Sequence, residues 1–452
     1  MKIVIVGCGK IGKSLIASLV TEGHEVVVID KKQEKVADAI NIYDVIGVCG
    51  IGTDSVTLTE AGVDKADIFI AVTGSDELNM LSCYIAKTLG AENTVARIRD
   101  RAYNENSLGF LQQKLNLSMS INPERFAAED IYNVLKVPGA AHIETFSTRN
   151  FEIIELLLKE DSTLHNVKVM DLRKQYKANF LICAVQRGEE VFIPDGNFVL
   201  QSGDKIALTA PPTEILKLLR SLKITRKQAR NVMILGGSRT AYYLAKMLLN
   251  SGNSVTIIDK DPVRCRELDE ALPGATIIHG DGAQQEVLLE EGLKNMDAFI
   301  SLTGMDEENI LISYYAASQN VPKVITKVNR SEFVAVAGRM GLDTLVSPRR
   351  TITDVIVRYA RALQNTVGNN VEKLYKIMDG NAEALMFNVN SDFEYIDIPL
   401  KNISFKKNLL IAGILRNRKA SVPTGNDVIM AGDKVVVIST DHILYDLADI
   451  IA

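Results

Sequence analysis

The stretch MKIVIVGCGKIGKSLIASLV, residues 1–20, decides how the rest of the chain is read. Its apolar character hints at a secretion signal, but Lys10, Lys13 and three glycines interrupt the apolar core. Residues 2–6, KIVIV, instead form a β-branched run of strand length, and a helical pattern begins a few residues later. Between them lies Gly7-Cys8-Gly9-Lys10-Ile11-Gly12, a G-x-G-x-x-G loop in the strand-to-helix context that a pyrophosphate cradle requires. Gly7 permits the tight turn, Gly9 lets the backbone approach the anion, and Gly12 allows close packing of helix on strand. The helix N-terminus adds a favourable field for negative charge.

Working outward, Asp30 ends the next β-branched run, EVVVI, 23 residues after Gly7. A carboxylate at that place accepts hydrogen bonds from ribose hydroxyls and repels a 2′-phosphate, so NAD(H) or an adenine ribonucleotide is expected rather than NADP. The run DIFIAV leads into Thr73-Gly74-Ser75-Asp76-Glu77-Leu78-Asn79, and TVARI leads into Arg97 and Arg99. These residues fall at the carboxyl edge of the strands, where such sheets bind ligands. Thr73, Asp76 and Arg97 therefore join Gly7, Cys8, Gly9, Lys10, Ile11, Gly12 and Asp30 as candidate site residues. Either arginine can neutralise a phosphate tail or serve an ordinary salt bridge.

The pattern then recurs. Gly7 and Gly236, like Asp30 and Asp259, stand 229 positions apart, and Thr73 and Asn79 reappear as Thr303 and Asn309. Further on, PDGNFVLQSGDKIALTA from Pro194 answers PTGNDVIMAGDKVVVIS from Pro423. The chain is thus one two-lobed unit written twice. In each copy, continuous apolar strands alternate with helices, which implies a parallel sheet covered on both faces. Runs such as FLICAVQR and LLIAGILR with Gly-Asp turns follow, suggesting a smaller antiparallel lobe with a closing helix. The fold expected is α/β, two tandem copies of a doubly wound Rossmann-like lobe followed by a small α+β lobe. The expected boundaries are 1–137, 138–224, 230–366 and 367–452.

The second loop, Gly236-Gly237-Ser238-Arg239-Thr240-Ala241, is altered: Ser238 replaces the middle glycine, and its side chain would crowd a pyrophosphate. Gly236, Arg239 and Asp259 remain candidates, either for a weaker or different nucleotide site or as relics of one. Between the lobes, Ala127, Ile131, Val134 and Leu135 make one helical stripe, and Ile352, Val355, Ile356, Tyr359, Ala360 and Leu363 make another. Each stripe either packs on its own domain or makes subunit contacts. The basic linker SLKITRKQARN, residues 221–231, is either solvated or a partner or membrane contact.

Composition narrows the classes. With 47% hydrophobic and 24% charged residues the chain is neither disordered nor fibrous. No stretch approaches the roughly 20 apolar residues of a spanning helix, so any transport pore is expected in another polypeptide. A net charge of −5 gives no reason to expect nucleic acid. Cys8, Cys49, Cys83, Cys183 and Cys265 lack a C-x-x-C and suggest reduced cytoplasmic thiols without a metal site. His24, His142, His165, His279 and His442 show no catalytic spacing, and no nucleophile elbow, zinc motif or P-loop is present. No catalytic residue is assigned.

The ordered set GCGKIG, Asp30, T-G-S-D-E-L-N, Ala96-Arg97-Ile98-Arg99 and Asn122-Pro123-Glu124, followed by P-D-G-x-F-x-L-x-x-G-D, resembles the domains that regulate potassium conductance, the RCK or KTN family, in its duplicated form. The resemblance covers essentially the whole chain. It implies a non-enzymatic regulatory subunit, cytoplasmic and peripheral on the inner face of the membrane. It further implies NAD(H) or ATP/ADP as effectors, a homo-oligomeric ring of four chains, and a membrane potassium-translocating subunit as partner. Gly7, Gly9, Gly12, Asp30, Asp76 and Arg97 would line the first site. Ile51, where copy two has Asp281, departs from the Gly-Asp of many family members. Small lobes of some relatives bind a cyclic dinucleotide or ions. An NAD-dependent oxidoreductase is the alternative, and a purely structural ring is a third reading.

Overall fold

In the computed structural model the described residues are 1–103, 105–136, 142–146, 151–158, 160, 162–176, 178–222, 229–365, 371–417, 419–441 and 444–452. Pro138-Gly139, most of the basic linker and His442 lie outside them.

The first copy begins with β1 (Lys2–Val6), α1 (Lys10–Thr21), β2 (Glu25–Asp30), α2 (Gln33–Ile42), β3 (Ile46–Cys49), α3 (Ser55–Glu60), β4 (Ile68–Ala71), α4 (Asp76–Leu89), β5 (Asn93–Arg97), α5 (Glu105–Lys114), β6 (Met119–Ile121) and α6 (Pro123–Lys136). Its six strands lie parallel in the order β3-β2-β1-β4-β5-β6. Strand order reverses between β1 and β4, leaving a crevice at the carboxyl edge there. Alternate side chains of the strands feed two cores. Val4, Val6, Val27, Ile29, Phe69 and Ala71 pack with α3, α4 and α5. Ile3, Ile5, Val26, Val28, Ile68, Ile70 and Val95 pack with α1 on the opposite face.

The first small lobe holds β7 (His142–Phe146), β8 (Phe151–Leu157), α7 (Val169–Tyr176), β9 (Leu181–Arg187), β10 (Glu190–Phe192), β11 (Lys205–Ala210) and α8 (Pro212–Ser221). Its sheet is antiparallel, ordered β10-β9-β11-β8-β7. Copy two repeats the plan with β12 (Asn231–Leu235), α9 (Arg239–Asn250), β13 (Ser254–Asp259), α10 (Pro262–Ala271), β14 (Thr276–His279), α11 (Gln285–Glu290), β15 (Ala298–Ser301), α12 (Asp306–Ser318), β16 (Lys323–Lys327), α13 (Ser331–Arg339), β17 (Leu345–Val346) and α14 (Pro348–Asn365). Its parallel order, β14-β13-β12-β15-β16-β17, matches the first. The last lobe has β18 (Val371–Ile377), β19 (Ala382–Asn388), β20 (Leu409–Arg416), β21 (Lys419–Ser421) and β22 (Lys434–Ser439). They lie antiparallel in the order β18-β19-β22-β20-β21. Where copy one has α7 and α8, this lobe has 3₁₀ turns at Leu400–Asn402 and Leu447–Ile450, so its closing element is a short turn.

The chain divides into two compact units, residues 1–127 with 347–364, and 128–346 with 365–452. In the first unit α14, though it follows the second lobe in sequence, covers the sheet of the first lobe. Ile352, Ile356, Val357 and Ala360 are buried against the β1, β2 and β4 face, flanked by Val355, Tyr359 and Leu363. The helical stripe therefore finds its cover on the other copy's lobe rather than its own. The reason is visible in the core: α1 alone leaves much of that apolar face to be sealed. Polar contacts fix the register. Arg361 and Glu22, both nearly fully buried, form a double hydrogen bond of 2.5 and 2.7 Å, and the hydroxyls of Ser14 and Thr353 meet at 3.0 Å.

His24 lies beside this seat, 6% exposed, with neither ring nitrogen hydrogen-bonded. Burial pulls its imidazole below the usual 6.5, helped by the N-terminal amine and Arg361 and opposed by Glu22 and Asp67. An acidifying solution protonates the unfolded chain first. Stability is therefore lost as the pH falls from about 6.5 toward the depressed value, by at most about 1.4 kcal/mol per pH unit. His24→Leu is expected to flatten the decline of melting temperature between pH 7.5 and 5.5. An unchanged slope would remove His24 from the account.

In the second unit α6 buries Ala128, Ile131, Val134 and Leu135, and the Tyr132 hydroxyl meets that of Ser251 just after α9. The two small sheets face each other. Phe151, Ile153, Cys183, Ala184 and Ala207 share a core with Ala384, Met386, Ala412, Val436 and Ile438. Gly413 makes room for this contact, since a Cβ there would lie 2.2 Å from the Phe151 ring. Buried Glu155 accepts from the Met378 amide at 2.8 Å and from Lys205 at 2.8 Å, and Lys205 also reaches Asp379 at 3.1 Å. The aspartates of the repeated Gly-Asp turns are structural. Asp204 takes a two-pronged bond from Arg187 at 2.7 and 2.8 Å, and Asp433 does the same with Arg416.

Candidate functional site

The loop after β1 is shaped by close approaches of backbone to backbone. Gly7 has φ +106°, and any Cβ on it would sit 3.2 Å from the Thr73 amide nitrogen. Gly12 lies against the same turn, where a Cβ would fall 1.9 Å from the Gly7 carbonyl oxygen. Gly9, in contrast, borders open space, with nothing within 4 Å of its Cβ position. It is also the N-cap of α1 and offers no side chain to the first-turn amides. Those amides, with Lys10 and Ile11 at the helix start and no acidic residue in the first turn, present an uncapped positive end beside an empty corner.

Asp30 closes the opposite wall. Its Oδ2 accepts from the Cys8 amide at 2.9 Å and its Oδ1 from the Lys32 amide at 3.0 Å, while Lys35 Nζ lies 3.9 Å away. Each carboxylate oxygen retains further acceptor capacity for a diol. The Cys8 side chain is buried, and burial, then the charge of Asp30, pushes its thiol up to about 12. Its contribution is the amide, not a reactive sulfur.

Thr73, Asp76 and Arg97 organise the neighbouring loop. Fully buried Asn79 accepts from the Thr73 amide and hydroxyl at 2.8 and 2.7 Å and donates to the Arg97 carbonyl at 2.9 Å. The Arg97 guanidinium donates to the Thr73 carbonyl. Asp76 points inward, accepting from the amides of Arg99 and Asp100, both at 2.7 Å, and Arg99 donates to the Gly74 carbonyl at 2.9 Å. The structure thus gathers the loop glycines, Asp30, Thr73 and Arg97 around one crevice. The Arg99 and Asp100 amides both fall on Asp76 Oδ2, while its Oδ1 is buried without a hydrogen bond and lies 3.7 Å from Arg99 Nε. Asn79 is the residue that pattern reading undervalued. Its signal was present: an amide side chain six residues after a threonine, repeated at Asn309.

The second lobe keeps that scaffold. Asn309 accepts from Thr303 at 2.9 and 2.8 Å and donates to the Lys327 carbonyl at 3.0 Å, and Asp306 accepts from the amides of Asn329 and Arg330. Gly236 has φ +91°, and Asp259 accepts from the Gly237 amide at 2.5 Å and the Asp261 amide at 2.8 Å. The helix start differs. Ser238 Oγ caps α9 by accepting from the Ala241 amide at 3.3 Å, with Arg239 at the first helical position. Arg264 donates to the Gly237 carbonyl and pairs with Glu267 at 2.8 Å.

Among the described residues no group of His, Cys, Asp and Glu could hold a metal ion, and no helix is long and apolar enough to cross a membrane. His279 Nε2 contacts the Lys260 carbonyl at 3.1 Å and His165 Nδ1 accepts from the Ser202 amide at 2.9 Å, so both serve local turns.

Comparison with known proteins places these features. The TrkA-N domain model matches residues 3–113 and again 232–348, and the TrkA-C domain model matches 153–223 and 385–452. The chain is 30% identical over 437 residues to the Trk system potassium uptake protein TrkA homolog of Archaeoglobus fulgidus, covering 97% of each sequence. Among solved structures, the RCK domain of GsuK superposes with a TM-score of 0.63 at 17% identity, over 97% of this chain and 92% of that one. The GsuK channel bound to NAD gives a TM-score of 0.62 at 16% identity, over 97% and 77%. These structural likenesses concern the fold. The duplicated domain pair, matched over nearly the whole length, establishes that this chain belongs to the TrkA family of Trk potassium uptake proteins.

Proposed function

We propose that the chain is a nucleotide-responsive regulatory subunit of a potassium uptake system, with its sensing site in the first Rossmann lobe. The observation that carries this reading is the open corner between Gly9 and Asp30: uncapped helix amides for a phosphate on one side and a carboxylate for ribose hydroxyls on the other. Gly7 to Gly12, Asp30, Thr73 and Arg97 form the site, and Asp76 positions its rim. The ligands are NAD(H) or ATP/ADP, in keeping with the NAD held by the GsuK channel of like fold. The chain acts without catalysis, on the cytoplasmic face, through a membrane potassium-translocating subunit. Leu81 and Tyr84 on α4, with their counterparts Leu311 and Tyr314 on α12, are exposed apolar residues suited to contacts between chains of a tetrameric ring.

Regulation requires that nucleotide favour one state of that ring over another, because equal affinity for both shifts nothing. Asp30→Ala is expected to weaken binding of NADH and ADP roughly 10- to 150-fold, the range for losing about 1.5–3 kcal/mol of charge-assisted hydrogen bonding. Calorimetry on the purified chain measures it, and undiminished affinity would sink the assignment. Oxidation of bound NADH by a small substrate, without a membrane partner, would favour the dehydrogenase alternative.

A further inference from the structure

Copy two departs from copy one at four positions around this loop. Cys8 is replaced by Gly237, Ala39 by Leu268, Lys35 by Arg264 and Gly9 by Ser238. Removing the Cys8 side chain leaves a gap, and the larger neighbours fill it: a Cβ at Gly237 would lie 2.6 Å from Leu268 and 3.2 Å from Arg264 Cγ. The stem of Arg264 therefore packs against the loop at Gly237, where Asp259 Oδ2 also lies 3.1 Å from the same Cβ position. Its guanidinium is tied on one side to the Gly237 carbonyl and on the other to Glu267. At the same loop, the Ser238 hydroxyl takes the Ala241 amide that an incoming anion would otherwise meet. In copy one the matching lysine reaches only to 3.9 Å from Asp30, and the helix start is uncapped.

We propose that Arg264 and Ser238 form an internal latch that excludes nucleotide from the second lobe, so that each chain senses one nucleotide, through its first lobe. This rests on the reading of the first lobe as a nucleotide site. The latch is stable because its parts complement one another: the guanidinium is satisfied at both ends and its stem is packed. A ligand must displace side chains that are already held in place, which costs affinity without any change in fold.

Calorimetric titration of the full chain with ADP, and separately with NAD, tests this. The wild type is expected to bind one nucleotide per chain, and Asp30→Ala to weaken that site tenfold or more. In the Asp30→Ala background, adding Ser238→Gly and Arg264→Ala is expected to restore a single site, which Asp259→Ala then removes. Arg264→Lys with Ser238→Gly, the copy-one residues, is the milder version should the alanine variant fail to fold; melting temperature reports folding. The latch is overturned if Asp30→Ala alone keeps a full-affinity site that Asp259→Ala abolishes. It is equally overturned if a folded unlatched chain gains no site. A wild type that binds neither probe overturns the nucleotide reading itself, a result distinct from either.

Discussion

Arg361→Ala is expected to lower the stability of the chain by about 3–5 kcal/mol, the cost of stranding a buried charge by removing its partner. The stranded group is Glu22, whose side chain is only 6% exposed and is held by Arg361 through two short hydrogen bonds. The loss has a place as well as a size. Arg361 lies on α14, so its removal weakens the helix that seals the β1, β2 and β4 face of the first lobe. Chemical denaturation with a fit for free energy measures the total, and hydrogen exchange is expected to show the loss at α14 and α1 first. The double variant Glu22→Gln with Arg361→Met, which removes both charges and keeps the volume, is expected to recover most of the stability. A loss under 1 kcal/mol for Arg361→Ala would mean that Glu22 is solvated in solution and that the pair does not anchor the helix.

Gly12→Val is expected to abolish measurable nucleotide binding and to cost about 1–3 kcal/mol or more of stability through overpacking. The obstacle is backbone rather than side chain, because the Cβ of residue 12 would lie 1.9 Å from the Gly7 carbonyl oxygen. Relief therefore moves either the loop or α1, and both shape the corner beside Gly9. Copy two carries Ala241 at this place, fully buried, so a single methyl is accommodated where the five loop residues after Gly236 all differ from copy one. Valine adds two further methyls. Affinity within threefold of wild type would show that the loop does not set the ligand position.

Much of this was legible in the residue order. β-branched runs separated by helical stripes gave the parallel sheets, and the 229-residue echo gave the duplication. Gly7 and Gly12 could be named because the loop brings backbone against backbone there, and Asp30 because a carboxylate ends the second strand. What could not be read was partnership. The α14 stripe announces an apolar face but carries no information about which of two similar lobes it covers. Asp76 offered a carboxylate at the right edge, and no pattern in the residues says that the Arg99 and Asp100 amides both take its Oδ2. The aspartates of the repeated Gly-Asp turns looked like turn residues, and their arginines lie 17 positions earlier, on β9 and β20. Arg264 was invisible for a related reason. Its significance depends on the missing side chain at Gly237, a complementarity between residues 27 positions apart that no motif encodes.

The repeat thus places two similar lobes on one chain, with the α1 start uncapped in the first and Ser238 capping α9 in the second. On the proposed reading, a regulator built this way would have one site at which a nucleotide biases it and a second lobe whose loop is held by Ser238 and Arg264. The α14 exchange gives that bias a route within the first unit. A ligand at the α1 start would act on the helix whose other end, through Glu22, holds Arg361 of α14.

The central claim is tested most directly by potassium flux through the membrane subunit reconstituted with this chain in vesicles, with ATP, ADP, NAD and NADH added in turn. At least one nucleotide is expected to change the flux with the wild-type chain and to leave it unchanged with Asp30→Ala at the same concentration. Saturating nucleotide binding with no change in flux, or an equal change with Asp30→Ala, would contradict the account.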